Sequence, residues 1–296
     1  MKNKFVWPPG RLIHLVTAAC LFSALFLLCG CGGVTGTGIA TPPSNPPSSP
    51  PAQILNVPGN WVFVTASTSQ GELLGIEGNI NQSGTVVSGT VHVFSFYEDC
   101  FDHLTAVGLT GTLTRSNSRE PAILSLTSTS VDGVVISFSG NVNDNATVYD
   151  NAFTGTYTIN GACTDQGSIS GDKIPTLAST WDGTFTTSGG ENFDVAANLS
   201  QSDSASAEGS FGVTGTATFQ TPCFSSGTIT SGVFPSGSFI IGNSVALDIQ
   251  TGNGTVAFLG TADPAKGEIT GDYTVSGGTC DQTGTATLTA LGPWDY

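Results

Sequence analysis

From about Gln53 to Tyr296 the chain repeats itself, so its fold must be one that can be built twice in tandem. Trp61 and Trp181 stand 120 residues apart, Cys100 and Cys223 stand 123 apart, Tyr157 and Tyr273 116, and Cys163 and Cys280 117. Around the third landmark, Phe153-Thr154-Gly155-Thr156-Tyr157 matches Ile269-Thr270-Gly271-Asp272-Tyr273. Downstream, Asp165-Gln166 matches Asp281-Gln282. Landmarks kept in order at a near-constant offset predict two modules, residues 53–175 and 176–296.

Within a module, short alternating runs are separated by turn residues. In the first they fall at 60–66, 72–81, 85–96, 105–114, 121–128, 133–142, 152–159 and 165–171. Asn81-Gln82-Ser83-Gly84 and Ser130-Val131-Asp132-Gly133 read as hairpin turns. No run carries the 3.6-residue apolar period of an amphipathic helix. Lys, Glu, Arg and Met are scarce while Thr, Val, Ile and Phe recur, a composition that favours strands over helices. The predicted fold class is all-β: two tandem antiparallel up-and-down β-barrels, with an immunoglobulin-like β-sandwich as the alternative. Barrel closure removes the sheet edges that invite aggregation. The outward faces are too polar for strands that meet lipid.

The first 52 residues have a different character. Lys2, Lys4 and Arg11 precede an apolar run from Leu12 to Leu28, which ends in Leu28-Cys29-Gly30-Cys31. This ending resembles the bacterial lipobox: an aliphatic residue, a tolerant position, a small residue and then Cys. The resemblance implies a signal peptide over 1–30, cleaved before Cys31, whose thiol takes a diacylglyceryl group. Fatty acyl chains such as palmitate would then anchor the protein, since two or three chains hold where one is marginal. Gly32 follows in place of the Asp that often marks inner-membrane retention. The resemblance therefore implies the cell envelope, and the outer membrane in a host that has two. Residues 31–52 include the pairs Pro42-Pro43, Pro46-Pro47 and Pro50-Pro51 and carry no charged side chain. They predict a semi-stiff spacer, about 60 Å long at ~3.1 Å per residue.

Each module opens on a Trp. Gly59-Asn60-Trp61 is similar to the Gly-x-Trp that begins the first strand of lipocalins and avidin-like proteins, where the Trp plugs one end of an eight-stranded, calycin-like barrel. The resemblance implies architecture and no ligand. Ser179-Thr180-Trp181 lacks the Gly, and no Arg near either module's end supplies the usual Trp partner.

Cys20 and Cys29 leave with the signal peptide and Cys31 takes lipid, so four thiols remain: Cys100, Cys163, Cys223 and Cys280. An even remainder in an exported chain predicts two disulfides. Of three pairings, the repeat favours Cys100–Cys163 and Cys223–Cys280. Zinc ligation is disfavoured because no two of these cysteines stand two to four residues apart.

Charge and motif exclude several function classes. Past residue 31 the bases Arg115, Arg119, Lys173 and Lys266 face 22 acidic residues, a formal charge of −18. Such a body repels nucleic acid and anionic membrane surfaces, so its membrane partner is reached through the anchor alone. Glu98, Asp99, Asp102 and His103 cluster round Cys100, but the matching loop at Cys223 has none of them; a solvated loop is expected there, not a metal site. Asn141, Asn143, Asp144, Asn145 and Asp150 lack calcium-loop spacing. No nucleophile elbow, P-loop or dinucleotide fingerprint occurs. Trp61, Trp181, Phe153 and Tyr157 are expected in the core. The sequence therefore predicts no catalytic, cofactor or metal site. It predicts a lipid-anchored envelope protein that binds a small ligand or another envelope component. The alternatives are a structural or adhesive module and, last, a hydrolase using scattered carboxylates.

Overall fold

The computed structural model describes residues 57–68, 74–95, 105–115, 120–143, 152–206 and 209–292. The described residues form seventeen strands and no helix. The first module contains β1 (Gly59–Ser67), β2 (Leu74–Ser83), β3 (Val86–Ser95), β4 (Thr105–Thr114), β5 (Ala122–Ser128), β6 (Val135–Val142), β7 (Phe153–Asn160) and β8 (Asp165–Lys173). Each pairs antiparallel with the next, and β1 pairs with β8, so the barrel closes. The predicted strands lie within about two residues of these. The β-sandwich alternative is excluded, because one continuous ladder runs round the whole sheet.

The second module repeats the plan with β9 (Ser179–Thr187), β10 (Asn192–Ala205), β11 (Phe211–Phe219), β12 (Ser226–Ile229), β13 (Phe239–Ile241), β14 (Ser244–Thr251), β15 (Gly254–Asp263), β16 (Glu268–Ser276) and β17 (Gln282–Ala290). β10 pairs with both β9 and β11, and β17 pairs with β9, which closes eight strands. The ninth, β13, is a three-residue strand that bonds to both β11 and β14.

Local chemistry sets these elements. Along β5, Ala122, Leu124 and Leu126 are buried while Ile123, Ser125 and Thr127 face out, the period of two that the sequence carries. Outside, hydroxyls pair across β5 and β6, Ser125 with Ser139 at 2.7 Å and Thr127 with Ser137 at 3.1 Å. Asp132 and Gly133 both have positive φ, 50° and 80°, between the bridged Val131 and Val134. A two-residue hairpin with that pair of signs has the twist its strands need, and Asp-Gly is the pair that tolerates it.

The repeated Thr-Gly before each Tyr has a steric origin. Gly155 faces Gly140 across β6–β7, and Gly271 faces Gly260 across β15–β16. A Cβ at Gly155 would stand 2.2 Å from the Ser139 carbonyl oxygen, and one at Gly271 would stand 2.3 Å from that of Leu259. Neighbouring backbones approach too closely there for any side chain.

Both interiors are filled by rings. In the first barrel Phe63 stacks on Trp61 at 5.4 Å and meets Phe138 and Phe153 at 5.1 and 5.6 Å. In the second, Phe185 contacts Tyr273, Phe193 and Phe219 at 4.6, 5.5 and 5.8 Å. The expected core residues Trp61, Trp181, Phe153 and Tyr157 are all buried.

The two Tyr landmarks differ at their hydroxyls. Tyr157 donates to the Asp165 carboxylate, which also accepts from the Ser67 hydroxyl at 2.7 Å. Burial, aided by that carboxylate, pushes the Tyr157 phenol up to about 12. In the second barrel the ladder places Gln282 where Asp165 stands in the first, and the Tyr273 hydroxyl is buried with no partner among the described residues. We expect Tyr157→Phe to destabilise by about 2 kcal/mol, because a hydrogen bond to a charged acceptor is lost. Tyr273→Phe is expected to be neutral or mildly stabilising, because it removes a buried hydroxyl that bonds to nothing. Paired urea unfolding curves check the contrast, and equal losses would contradict it.

Candidate functional site

Each barrel is stoppered by the residue four places before its Trp. The Trp61 indole N–H donates to the Val57 carbonyl at 2.8 Å, and that of Trp181 to Leu177 at 3.0 Å. The N–H of Val57 donates to Gln82 Oε1 at 3.1 Å, and that of Leu177 to Gln201 Oε1 at 2.6 Å. Val57 and Leu177 are fully buried. A Trp and a Gln thus grip both backbone polar groups of one residue, twice over, and no Arg is needed. Buried backbone groups must be satisfied, and these side chains do so where the ladder has ended.

The second copy of this device forms part of a cleft between the barrels. β10 runs fourteen residues, and its register is irregular between Gln201 and Ala205. This end of β10 lies against the first barrel. Asn60 Nδ2 donates to the Ser202 carbonyl at 3.0 Å, while Asn60 Oδ1 accepts from Asn79 at 2.9 Å. Asn60 is 7% exposed, so this amide bridge ties the two barrels at a nearly dry point.

Beside the bridge is a cavity of about 130 Å³, walled by Pro58, Gly59, Asn60, Asn79, Lys173, Ile174, Thr176, Ala178, Gln201 and Asp203. Lys173 is the last residue of β8 and pairs with Trp61 on the ladder; Ala290 occupies the matching position opposite Trp181. Its partial burial lowers the ammonium pKa from the usual lysine value. Among the described residues no carboxylate forms an ion pair with it. A Cβ at Gly59 would lie 3.1 Å from Lys173 Cε and 3.8 Å from Nζ, so the head of the side chain rests on the cavity wall.

A second polar group sits in the same seam. Glu77 faces outward from β2, opposite His92 on the β2–β3 ladder. It is only 4% exposed, because Gly209 of the β10–β11 connection covers its carboxyl. Gly209 has φ 78°, and a Cβ there would overlap Glu77 Oε2. Oε2 has no hydrogen-bond partner among the described residues, and burial pushes the acid up to about 8. At neutral pH Glu77 is therefore largely protonated.

The residues singled out from sequence are placed unevenly. Cys223 and Cys280 form a disulfide with Cα atoms 5.7 Å apart. Cys163 is disulfide-bonded, and its expected partner Cys100 lies outside the described residues. So do Cys31, the cluster of Glu98, Asp99, Asp102 and His103, and Asp144, Asn145 and Asp150. Asn141 pairs with Thr154, one residue before the end of β6, and the Asn143 N–H donates to the Ala152 carbonyl at 2.8 Å. Among the described residues no three His, Cys, Asp or Glu side chains converge as metal ligands, and no helix is long and apolar enough to cross a membrane.

Sequence reasoning missed Lys173, Glu77 and the Gln pair. One signal was available for the last. Val57/Leu177 and Gln82/Gln201 repeat at offsets of 120 and 119, beside the Trp landmarks.

Neither a known family nor any curated protein matches this chain. Among solved structures, kievitone hydratase from Nectria haematococca is similar over 81% of this chain and 91% of its own, at 13% identity and a TM-score of 0.21. A likeness that slight bears on neither fold nor chemistry.

Proposed function

We propose that this is a lipid-anchored cell-envelope protein that holds a small ligand in the cleft between its two barrels. The observation that carries the reading is where open space lies. The barrel centres hold rings packed on one another, whereas the seam keeps a polar cavity of about 130 Å³ beside a half-buried Lys173. Concave sites with a few convergent polar groups are where small ligands bind, and they favour module interfaces. The polar set is three amides, a lysine, a threonine and an exposed aspartate, groups suited to hydrogen-bonding and orienting a small polar molecule.

The anchor belongs to the same reading. The Leu28-Cys29-Gly30-Cys31 ending supports acylation of Cys31, and residues 31–52 support a spacer that holds the barrels in water, at the outer membrane where the host has two. Metabolic labelling with a fatty-acid probe is expected to mark the protein and to fail on Cys31→Ser; equal labelling of both would refute the anchor. For the cleft, native mass spectrometry of protein extracted from its own envelope is expected to show a retained small molecule. That molecule should be lost from Ala178→Trp, which fills the cavity from its exposed wall.

A further inference from the structure

We propose that the inter-barrel cleft recognises a small monovalent carboxylate, with Lys173 as its counter-ion and the Gln201 amide as a second donor. This rests on the cleft being the ligand site and names the chemistry that the site selects.

The argument starts from hydrogen-bonding capacity left over. Of the polar groups walling the cavity, the Asn60 and Asn79 amides bond to one another and to Ser202. Gln201 uses its carbonyl on the Leu177 N–H, which fixes the side chain, while its NH₂ donates to nothing among the described residues. Lys173 has three N–H donors and no ion-pair partner there. Asp203 on the same wall is exposed, where water meets its carboxylate; the donors that the protein leaves unused are the Gln201 NH₂ and the Lys173 ammonium, and the second is charged. An acceptor-only group bearing a negative charge satisfies both, and a carboxylate offers two oxygens for it.

Charge sets the valence. Lys173 is one of four bases in a body of formal charge −18, and Asp203 stands in the same cavity wall. Lys173 is the only cation in that wall and Asp203 already offsets part of its charge, so at most one further negative charge is met. A phosphate dianion would bring a second charge with nothing to meet it. Partial burial strengthens the pairing, because a desolvated ammonium gains more from an anion than a solvated one does.

The test is calorimetric titration of the full-length protein in detergent at fixed ionic strength, with propionate, propionamide and inorganic phosphate as probes. Saturable binding of propionate, with propionamide and phosphate at least about tenfold weaker, supports the proposal. Lys173→Met is expected to weaken propionate about tenfold or more with an unchanged melting temperature, and Lys173→Arg to restore most of it. Propionate binding that Lys173→Met leaves intact, or phosphate binding as tightly as propionate, overturns the proposal. A neutral molecule retained from the envelope and lost in Ala178→Trp would overturn the carboxylate while leaving the cleft as ligand site. No retained molecule and no propionate binding would overturn both.

Discussion

Replacing Cys223 and Cys280 together by Ser is expected to destabilise the protein by about 4 kcal/mol. The two cysteines are 57 residues apart in sequence. Their bond joins the turn after β11 to the turn between β16 and β17, spanning strands that the ladder connects through β12, β14 and β15 one way round the barrel and through β10 and β9 the other. In the chain-entropy view, closing a loop of that length removes freedom from the unfolded chain and leaves the native contacts unchanged. The neighbourhood adds little that could compensate. β12 has four residues and β13 three, the shortest strands of the barrel. Phe224, next to the disulfide, packs edge-on against Phe219 at 4.8 Å and Phe193 at 6.1 Å. Loosening Cys223 therefore frees a buried ring as well. For a body of this size the loss corresponds to a fall in melting temperature of roughly 10 °C. Guanidinium unfolding of the double variant beside the parent, both with Cys100 and Cys163 intact, measures it. A difference below about 1 kcal/mol would show that the ladder holds this end of the barrel without help.

Much of this architecture was legible because it is written locally and twice. A period of two fixes which face of each strand is buried, and Asp132-Gly133 fixes its hairpin by the backbone signs those residues tolerate. The repeat then pointed to the Cys223–Cys280 pair, since the cysteines recur in order at near-constant sequence offsets. The cleft was not legible. Lys173, Asn60 and Gln201 come from β8, β1 and β10, and nothing in their spacing brings them to one wall. Glu77 reads as an ordinary outward residue in an alternating strand. It is buried only because the β10–β11 connection of the other barrel lies over it, and a period of two within one strand carries no information about a neighbouring module. Whether a barrel interior is open or filled with side chains was not legible for a related reason. Alternation identifies inward residues but not whether their rings meet at the centre, as Phe63, Phe138 and Phe153 do.

Glu77→Gln is expected to remove a loss of stability that the parent shows between about pH 4.5 and 8. The folded-state acid is raised from 4.5 to about 8 by burial. Between those values the folded protein keeps a proton that the unfolded chain has released, so stability falls as pH rises and levels off above about 8. Below 4.5 both states are protonated and the residue adds no pH dependence. The ceiling on the loss is about 5 kcal/mol, from the width of the window at 1.36 kcal/mol per pH unit. The realised loss is smaller if the seam opens first, because lifting Gly209 away rehydrates the carboxylate without unfolding either barrel. Gln keeps the shape and cannot ionise, so the variant should match the parent at pH 4.5 and exceed it by several kcal/mol at pH 9. His92 lies across the ladder from Glu77, and His92→Gln serves as a control that should leave most of the slope in place. Lys173 contributes with the opposite sign, its lowered value making stability rise with pH only in a window that ends at 10.5. Two measurements separate the outcomes. Urea midpoints across the pH range read global stability, and hydrogen exchange at the Ser206 and Gly209 amides reads the seam. Exchange that quickens above pH 8 in the parent but not in Glu77→Gln, with little change in midpoint, would place the ionisation penalty in the barrel–barrel contact. A parent curve flat from pH 4.5 to 9, with slow exchange throughout, would mean that water already reaches this carboxyl and that the two barrels touch less tightly than Gly209 and Glu77 imply.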